Sequence, residues 1–330
     1  MLTEQEILKI IRKVIPNSKK YLFDDAAIIE KNLIVTTDTL VENTHFTLKT
    51  YTPEEIGWKA MAVNLSDIAA MGGEPLYALI SLSLPVRAGL APAHLLTWLE
   101  NFYKGLVTCA KKYKTQIIGG NLARSKEINV TITVIGKTIV KAGLKPASTV
   151  LGKRANAKSG DLVFCTGTFG DSACGYLLLK NPVIASSLSL LAMTKTHKKP
   201  IPQIEIGQKI ARLSKRVALM DASDGLADCL IQISNQSNVK IILDKDKIPL
   251  SQNIKKAAHI LNKDPLNLAL YGGEDYQLVG TASKTDCKKL AKIKEIKIIG
   301  RVVKGKGAFL KQNNTKLVKL DVKKTYEHFK

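Results

Sequence analysis

Between Thr52 and Pro75 the chain runs TPEEIGWKAMAVNLSDIAAMGGEP, and its positions repeat with a helical period. Ala60, Val63, Asn64, Asp67 and Met71 fall on one face. Thr52 suits an N-cap, Pro53 the first helical position, and Glu55 completes a capping box. Gly72 and Gly73 end the helix and Pro75 forbids its resumption. The face is otherwise apolar, so Asn64 and Asp67 stand out on it. A buried carboxylate costs on the order of several kcal/mol unless a partner or a metal compensates it. Asp67 is therefore either a hydrogen-bonded core acid or a ligand, and Asn64 is expected to hydrogen-bond the loop that presents Asp38.

The same reading predicts an amphipathic helix over Thr3 to Val14, and two strands within Ala26 to Thr37 around a Glu30-Lys31-Asn32 turn. Tyr77 to Leu84 is a strand halted by Pro85. Pro92 to Lys112 is a long helix, Gln116 to Ile118 a short strand ending at Gly119-Gly120, and Ile128 to Val140 a long strand. Lys141 to Gly160 is basic and lacks period. A division follows into an N-terminal α+β domain (residues 1–145) and a C-terminal α/β domain (residues 146–330). The second half alternates strands (Asp161 to Cys165, Val217 to Met220, Val239 to Leu243, Gln277 to Gly280, Ile296 to Val303) with helices, including Leu226 to Ser234.

Composition narrows the classes. At 330 residues the chain is long enough for two domains. No apolar run reaches the ~18 residues of a membrane span, and the first ten residues do not read as a signal peptide. Cys109, Cys165, Cys174, Cys229 and Cys287 are odd in number and widely spaced, which argues against zinc and disulfides and for a reducing cytoplasm. The net charge is +22, of which +17 lies in residues 151–330. The lysines are scattered and aromatics amount to 5%, so the pattern is that of a solvated surface rather than a nucleic-acid stacking platform.

Acids are scarce, yet they gather at strand ends and glycine turns: Asp24-Asp25, Asp38, Asp67, Asp221, Asp224 and Glu274-Asp275. Strand ends are where α/β proteins place ligands. In Met220-Asp221-Ala222-Ser223-Asp224-Gly225, either Ser223 or Asp224 could cap the next helix, but capping does not require both acids. Two acids in one tight turn repel unless a cation joins them, and Mg²⁺ suits carboxylates shared with phosphate. The segment Gly300 to Lys306 has Walker A spacing, but Gly307 stands where Ser or Thr is required, so it reads as a turn between strands. Kinase HRD/DFG and dinucleotide motifs are absent.

The motifs DDAAII (24–29), TTDTLVENTHF (36–46), KAMAVNLSDIAAMGGEP (59–75), TGTFGDSACG (166–175), DASDGL (221–226) and GGEDYQL (272–278) resemble those of the thiamine-monophosphate kinases. These share a superfamily with aminoimidazole ribonucleotide synthetase and selenophosphate synthetase. The resemblance implies an N-terminal sheet that pairs with a second subunit's sheet in a homodimer, and ATP in the cleft. It implies transfer of the γ-phosphoryl of ATP to thiamine monophosphate, giving thiamine diphosphate, with several Mg²⁺ ions. By that resemblance Asp25, Thr36, Thr37, Asp38, Asp67, Asp221 and Asp224 hold metal. Gly120, Asn121, Arg154 and Ser223 meet the nucleotide, and His45, Glu274 and Tyr326 meet the thiamine phosphate. Glu274 would favour the cationic thiazolium and Tyr326 would stack on a ring. No dedicated general base is expected, because the acceptor phosphate is already ionised.

Two departures stand against the family pattern. Asn121 occupies the place of an aspartate after Gly119-Gly120, which removes a charge from a metal site. Tyr21-Leu22-Phe23 replaces glycines before the paired acids. They keep two alternatives in view: a weakened or non-catalytic nucleotide-binding member, and a synthetase acting on another phosphorylated metabolite. The latter conflicts with GGEDYQL and with the absence of any Cys before Cys109.

Overall fold

The computed structural model describes residues 4–16, 18–85, 92–139, 152–181, 188–312 and 316–326. Thr3, the 145/146 division and most of the aperiodic basic stretch lie outside them.

Helix α1 (Glu4–Val14) and the short α2 (Ser18–Tyr21) lead into β1 (Ala27–Ile29). A 3-10 turn over Glu30–Asn32 returns the chain into β2 (Leu33–Val41). Next comes α3 (Pro53–Ala70), with both halves of its capping box formed: Thr52 N donates to Glu55 Oε2 at 2.9 Å and Glu55 N to Thr52 Oγ1 at 3.3 Å. β3 (Gly73–Pro85) is longer than its apolar run suggests. α4 (Pro92–Lys112) has the expected limits and carries the chain over to β4 (Gln116–Ser125), which pairs with β3 in parallel. The short strand expected to stop at Gly119-Gly120 continues through both glycines. A Cβ at Gly120 would lie 1.8 Å from the Ile80 carbonyl oxygen, so glycine is what lets the two strands approach. β5 (Asn129–Thr138) completes a five-stranded sheet in the order β1-β2-β5-β3-β4.

α3 and α4 cover one face of this sheet, and α3 is buried on nearly every side rather than along one face. Gly57 on α3 and Gly105 on α4 make that crossing close. A Cβ on Gly57 would meet Phe102 O at 2.0 Å, and one on Gly105 would meet Glu54 O at 2.0 Å. The sheet's other face is partly open and carries a hydroxyl ladder, with Thr39 and Thr131 Oγ1 atoms 2.8 Å apart.

The second half forms a seven-stranded sheet. Its strands are β6 (Leu162–Thr166), β7 (Val217–Asp221), β8 (Lys240–Asp244), β9 (Leu278–Ala282), β10 (Ile296–Val303), β11 (Gly307–Gln312) and β12 (Lys316–Lys319), in the order β12-β11-β8-β10-β6-β9-β7. Strand and helix alternate as expected up to β10, while the pairing is antiparallel except between β8 and β11. The last two strands are not anticipated by the sequence pattern. β12 is exposed throughout, so it carries no buried alternation to read. The Gly300 to Lys306 segment is the end of β10 and its turn into β11.

The helices of this half are α5 (Asp171–Lys180), α6 (Leu188–Lys198), α7 (Ile204–Leu213), α8 (Leu226–Ser237), α9 (Gln252–Ile260), α10 (Pro265–Tyr271) and α11 (Lys284–Leu290). One hydrophobic cluster runs from the first sheet through α3 to Ile210, Val217, Leu219 and Leu278 of the second half. The helix that stood out in the sequence is thus the beam between the two sheets. Among the described residues no helix is long and apolar enough to cross a membrane.

Candidate active site

Three carboxylates from three distant segments meet at this junction. Asp25 precedes β1, Asp67 sits near the end of α3, and Asp221 ends β7; an oxygen from each lies within 4.8 Å of the others. Burial raises all three carboxyls above the ordinary carboxylate range. For Asp67 burial is followed by repulsion from Asp38, Asp221 and Asp25, and the Thr36 hydroxyl, which donates to Asp67 Oδ2, opposes it. For Asp221 burial and Asp25 dominate against the Ser66 hydroxyl. For Asp25 burial prevails over the Arg154 guanidinium, whose Nη2 donates to Asp25 Oδ1 at 2.6 Å. Asp25 Oδ2 is buried and has no hydrogen-bond partner among the described residues. Converging, repelling hard-oxygen donors with one orphaned lone-pair atom fit a divalent cation of the Mg²⁺ type.

The surrounding chain fixes these oxygens. Asn64 accepts from Asp38 N at 2.8 Å and donates to Ala60 O at 3.0 Å, so it ties β2 to α3 as its position suggested. The turn after β7 is strapped to the loop before β9. Ala222 N donates to Gln277 O at 2.8 Å, Glu274 N to Ser223 O at 2.6 Å, and Tyr276 N to Ala222 O at 3.0 Å. Two glycines make the strap possible: Gly225 has φ +103°, and a Cβ on Gly273 would lie 2.6 Å from Ser223 O. The N-cap of α8 is Gly225, without a side-chain cap bond, so neither Ser223 nor Asp224 is explained by capping. Asp224, Asp38 and Asp221 all act electrostatically on the buried Tyr276 hydroxyl. Arg154 also donates to Gln232, and its backbone N donates to Asp24 Oδ1 at 2.9 Å, which makes Asp24 a structural partner. Asp275 accepts from Gly170 N at 2.6 Å and Ser172 N at 3.1 Å, occupying the start of α5.

A second polar cluster adjoins the first. Glu274 has a left-handed backbone (φ +65°), and its Oε1 lies 2.7 Å from Nζ of Lys59. Its Oε2 lies 3.2 Å from His197 Nδ1, which also faces Ser172 Oγ at 3.0 Å. Lys59 Nζ donates further to Tyr51 Oη at 3.1 Å and His45 O at 3.4 Å, while His45 Nδ1 accepts from Val41 N at 3.0 Å. Burial raises the Glu274 carboxyl, but the charge and hydrogen bond of Lys59 outweigh it and the net shift is downward. Burial, then Lys59, pushes His197 down to about 3, so its ring is neutral. Glu274 is therefore an anion already paired with Lys59.

Lys59, Tyr51 and His197 escaped the sequence reading. For Lys59 a signal was present: a charge inside KAMAVNLSD breaks an apolar window just as Asp67 does. For Tyr51 and His197 no local pattern points inward.

Other expected site residues lie apart from these clusters. Thr37 is exposed on the sheet face opposite Thr36, with its hydroxyl donating to Ile132 O at 3.2 Å. Gly120 and Asn121 are on β4, opposite Ile80 and Ser81, and line a groove of about 510 Å³ with Tyr103, Ile117 and Leu122. Tyr326 is half exposed; the tail before it returns to the end of α10, where Lys324 Nζ lies 5.5 Å from the Tyr271 ring centroid.

Comparison with known proteins agrees with this architecture. Residues 23–138 match the AIR synthase related protein N-terminal domain and residues 158–312 its C-terminal domain. The thiamine-monophosphate kinase of Aquifex aeolicus is 36% identical over 312 residues, 94% of each chain. That of Bacillus subtilis is 37% identical over 313 residues, 90% of this chain and 88% of the other. A solved structure described as AaThiL complexed with AMPPCP and TMP superposes with a TM-score of 0.83 at 34% identity, covering 99% of this chain and 97% of that one. The chain belongs to the AIR synthase related family and, within it, to the thiamine-monophosphate kinases.

Proposed function

We propose that the protein phosphorylates thiamine monophosphate with ATP to give thiamine diphosphate. The observation that carries this reading is the meeting of Asp25, Asp67 and Asp221 at the junction of the two sheets. A relative solved with an ATP analogue and TMP, and similar over nearly the whole chain, supports it.

Both reactants are polyanions, so catalysis rests on neutralising charge and aligning the phosphoryl groups. Asp25, Asp38, Asp67, Asp221 and Asp224 would hold Mg²⁺, with the Thr36 hydroxyl beside Asp67. The ions, when bound, supply positive charge to the transferring phosphoryl group. The Thr37 side chain faces away, which leaves only its backbone for this role. α3 presents Asp67 from a helix buried on nearly every side, and Asn64 fixes β2 and Asp38 relative to it. Arg154 and Ser223, with Gly120 and Asn121 on β4, form our proposed nucleotide side. His45, Glu274 and Tyr326 form the thiamine side. No side chain is assigned as a general base, since an ionised phosphate is already a nucleophile.

We also propose the division into residues 1–145 and 146–330 and a homodimer formed through the first sheet. β4 is an edge strand, and Tyr77, Leu79, Ile118 and Leu122 of the paired β3 and β4 are exposed, Leu122 at 71%. An apolar exposed sheet edge of this kind favours pairing with another chain. Five buried free thiols suit a cytoplasmic location.

The test is incubation of the purified protein with ATP, Mg²⁺ and thiamine monophosphate. Thiamine diphosphate should form and chelation should stop it; no product at millimolar Mg²⁺ would sink the reading. Sedimentation equilibrium tests the dimer, with Leu122→Asp expected to shift it to monomer.

A further inference from the structure

Lys59 is among the largest completely buried side chains of the described residues, and it is a cation. An ammonium has three donors. Here they go to Glu274 Oε1, Tyr51 Oη and His45 O. None is left for a phosphate, so Lys59 is not a phosphate ligand despite its place beside an acidic phosphoryl-transfer centre. The carboxylate it holds is different: the Glu274 side chain keeps 26% exposure while Lys59 has none and His197 has 5%. Glu274 is the outward end of the cluster, and Lys59, His197 and Tyr51 are its buried base.

Lys59 and Asp67 share α3, eight residues apart. At the rise of an α-helix this sets them about 12 Å apart along one rigid axis. One end of the helix anchors the group that holds Glu274, and the other carries the carboxylate of the metal cluster. The same element therefore fixes the distance between the two clusters, on the scale of a phosphate ester joined to two rings.

We propose that Lys59, seconded by His197, is a positioning residue for the acceptor substrate: it orients the Glu274 carboxylate and cancels its charge. Glu274 then meets the substrate as an aimed hydrogen-bond acceptor for an N–H donor, such as a ring amine, rather than as a bare anion for a cation. This deepens the proposed function and rests on thiamine monophosphate being the acceptor.

A cycle of wild type, Lys59→Met, Glu274→Gln and the double variant tests it through separate KM values for thiamine monophosphate and ATP. Each single variant should raise KM for thiamine monophosphate at least 10-fold and leave KM for ATP within 2-fold. The double variant should resemble Glu274→Gln alone, because Lys59 acts through that carboxylate. It also removes both charges together, so it stays folded if Lys59→Met alone does not. His197→Phe, which keeps a ring and removes the donor, should raise KM for thiamine monophosphate 3- to 10-fold without moving that for ATP.

An unchanged KM in Lys59→Met, fully multiplicative losses in the double variant, or an equal rise in both KM values would overturn the proposal. Should Lys59→Met fail to fold, an unchanged KM in His197→Phe would do the same. A wild type that binds thiamine monophosphate but does not phosphorylate it would overturn the catalytic reading alone. The binding constants of the same variants would then decide the positioning role. A wild type that does not bind it would overturn both.

Discussion

Replacing Asp67 by Asn should make the metal-free protein more stable and the enzyme inactive. Asp67 has carboxylate oxygens of Asp25 and Asp221 within 4.8 Å. Two unit charges at that distance repel by about 3.5 kcal/mol at an effective dielectric of 20. Proton uptake caps the penalty: keeping a carboxyl of ordinary pKa 3.8 protonated at pH 7 costs about 4 kcal/mol. Asn is nearly isosteric, still accepts from the Thr36 hydroxyl, and removes one of three mutually repelling charges. The gain should therefore be about 2–4 kcal/mol, with each kcal/mol worth about 2–4 °C in a domain of this size. Because the folded-state pKa of Asp67 is raised, stability is full below pH 3.8 and is lost as pH rises toward the folded-state value. The advantage of Asn should accordingly grow with pH. Thermal unfolding with and without Mg²⁺ and ATP reads both effects. Wild type should gain a large ligand-dependent shift, and Asp67→Asn a higher midpoint alone with little further shift. A lowered metal-free midpoint, or an undiminished Mg²⁺ shift, would refute a shared cation site at these acids.

Three further outcomes are expected. His197 has a folded-state pKa of about 3 against 6.5, so its contribution is present above pH 6.5 and lost as pH falls toward 3; His197→Phe should remove about 2 kcal/mol of the wild type's destabilisation between pH 7 and pH 5, measured by urea unfolding. Gly57→Ala would force a methyl to 2.0 Å from Phe102 O and separate α3 from α4, costing about 1–3 kcal/mol in the same measurement and slowing turnover through displacement of Asp67. Asn121→Asp restores a carboxylate on β4 and should lower the Mg²⁺ concentration for half-maximal activity several-fold, read from a Mg²⁺ titration of the kinase assay.

The chain's own pattern determined α3 from its cap to its glycine stop, because Thr52, Pro53 and Glu55 act locally and Gly72 accepts a φ of +62°. It also marked Asp67 and Asn64, since a polar group in an apolar window is visible without knowing what surrounds it. The limits of α4 and β10 and the turn at Asp221 to Gly225 were legible for the same local reasons. What only the tertiary structure decided is which charges meet. Asp25, Asp67 and Asp221 are far apart in sequence and reach one point through packing of two sheets on one helix. Lys59, Glu274 and His197 likewise come from three separated elements. Whether Glu274 is an unpaired anion or a neutralised acceptor depends on a cation 215 positions earlier in the chain. Local propensity carries no term for such a pair, because its energy arises when both partners lose water together.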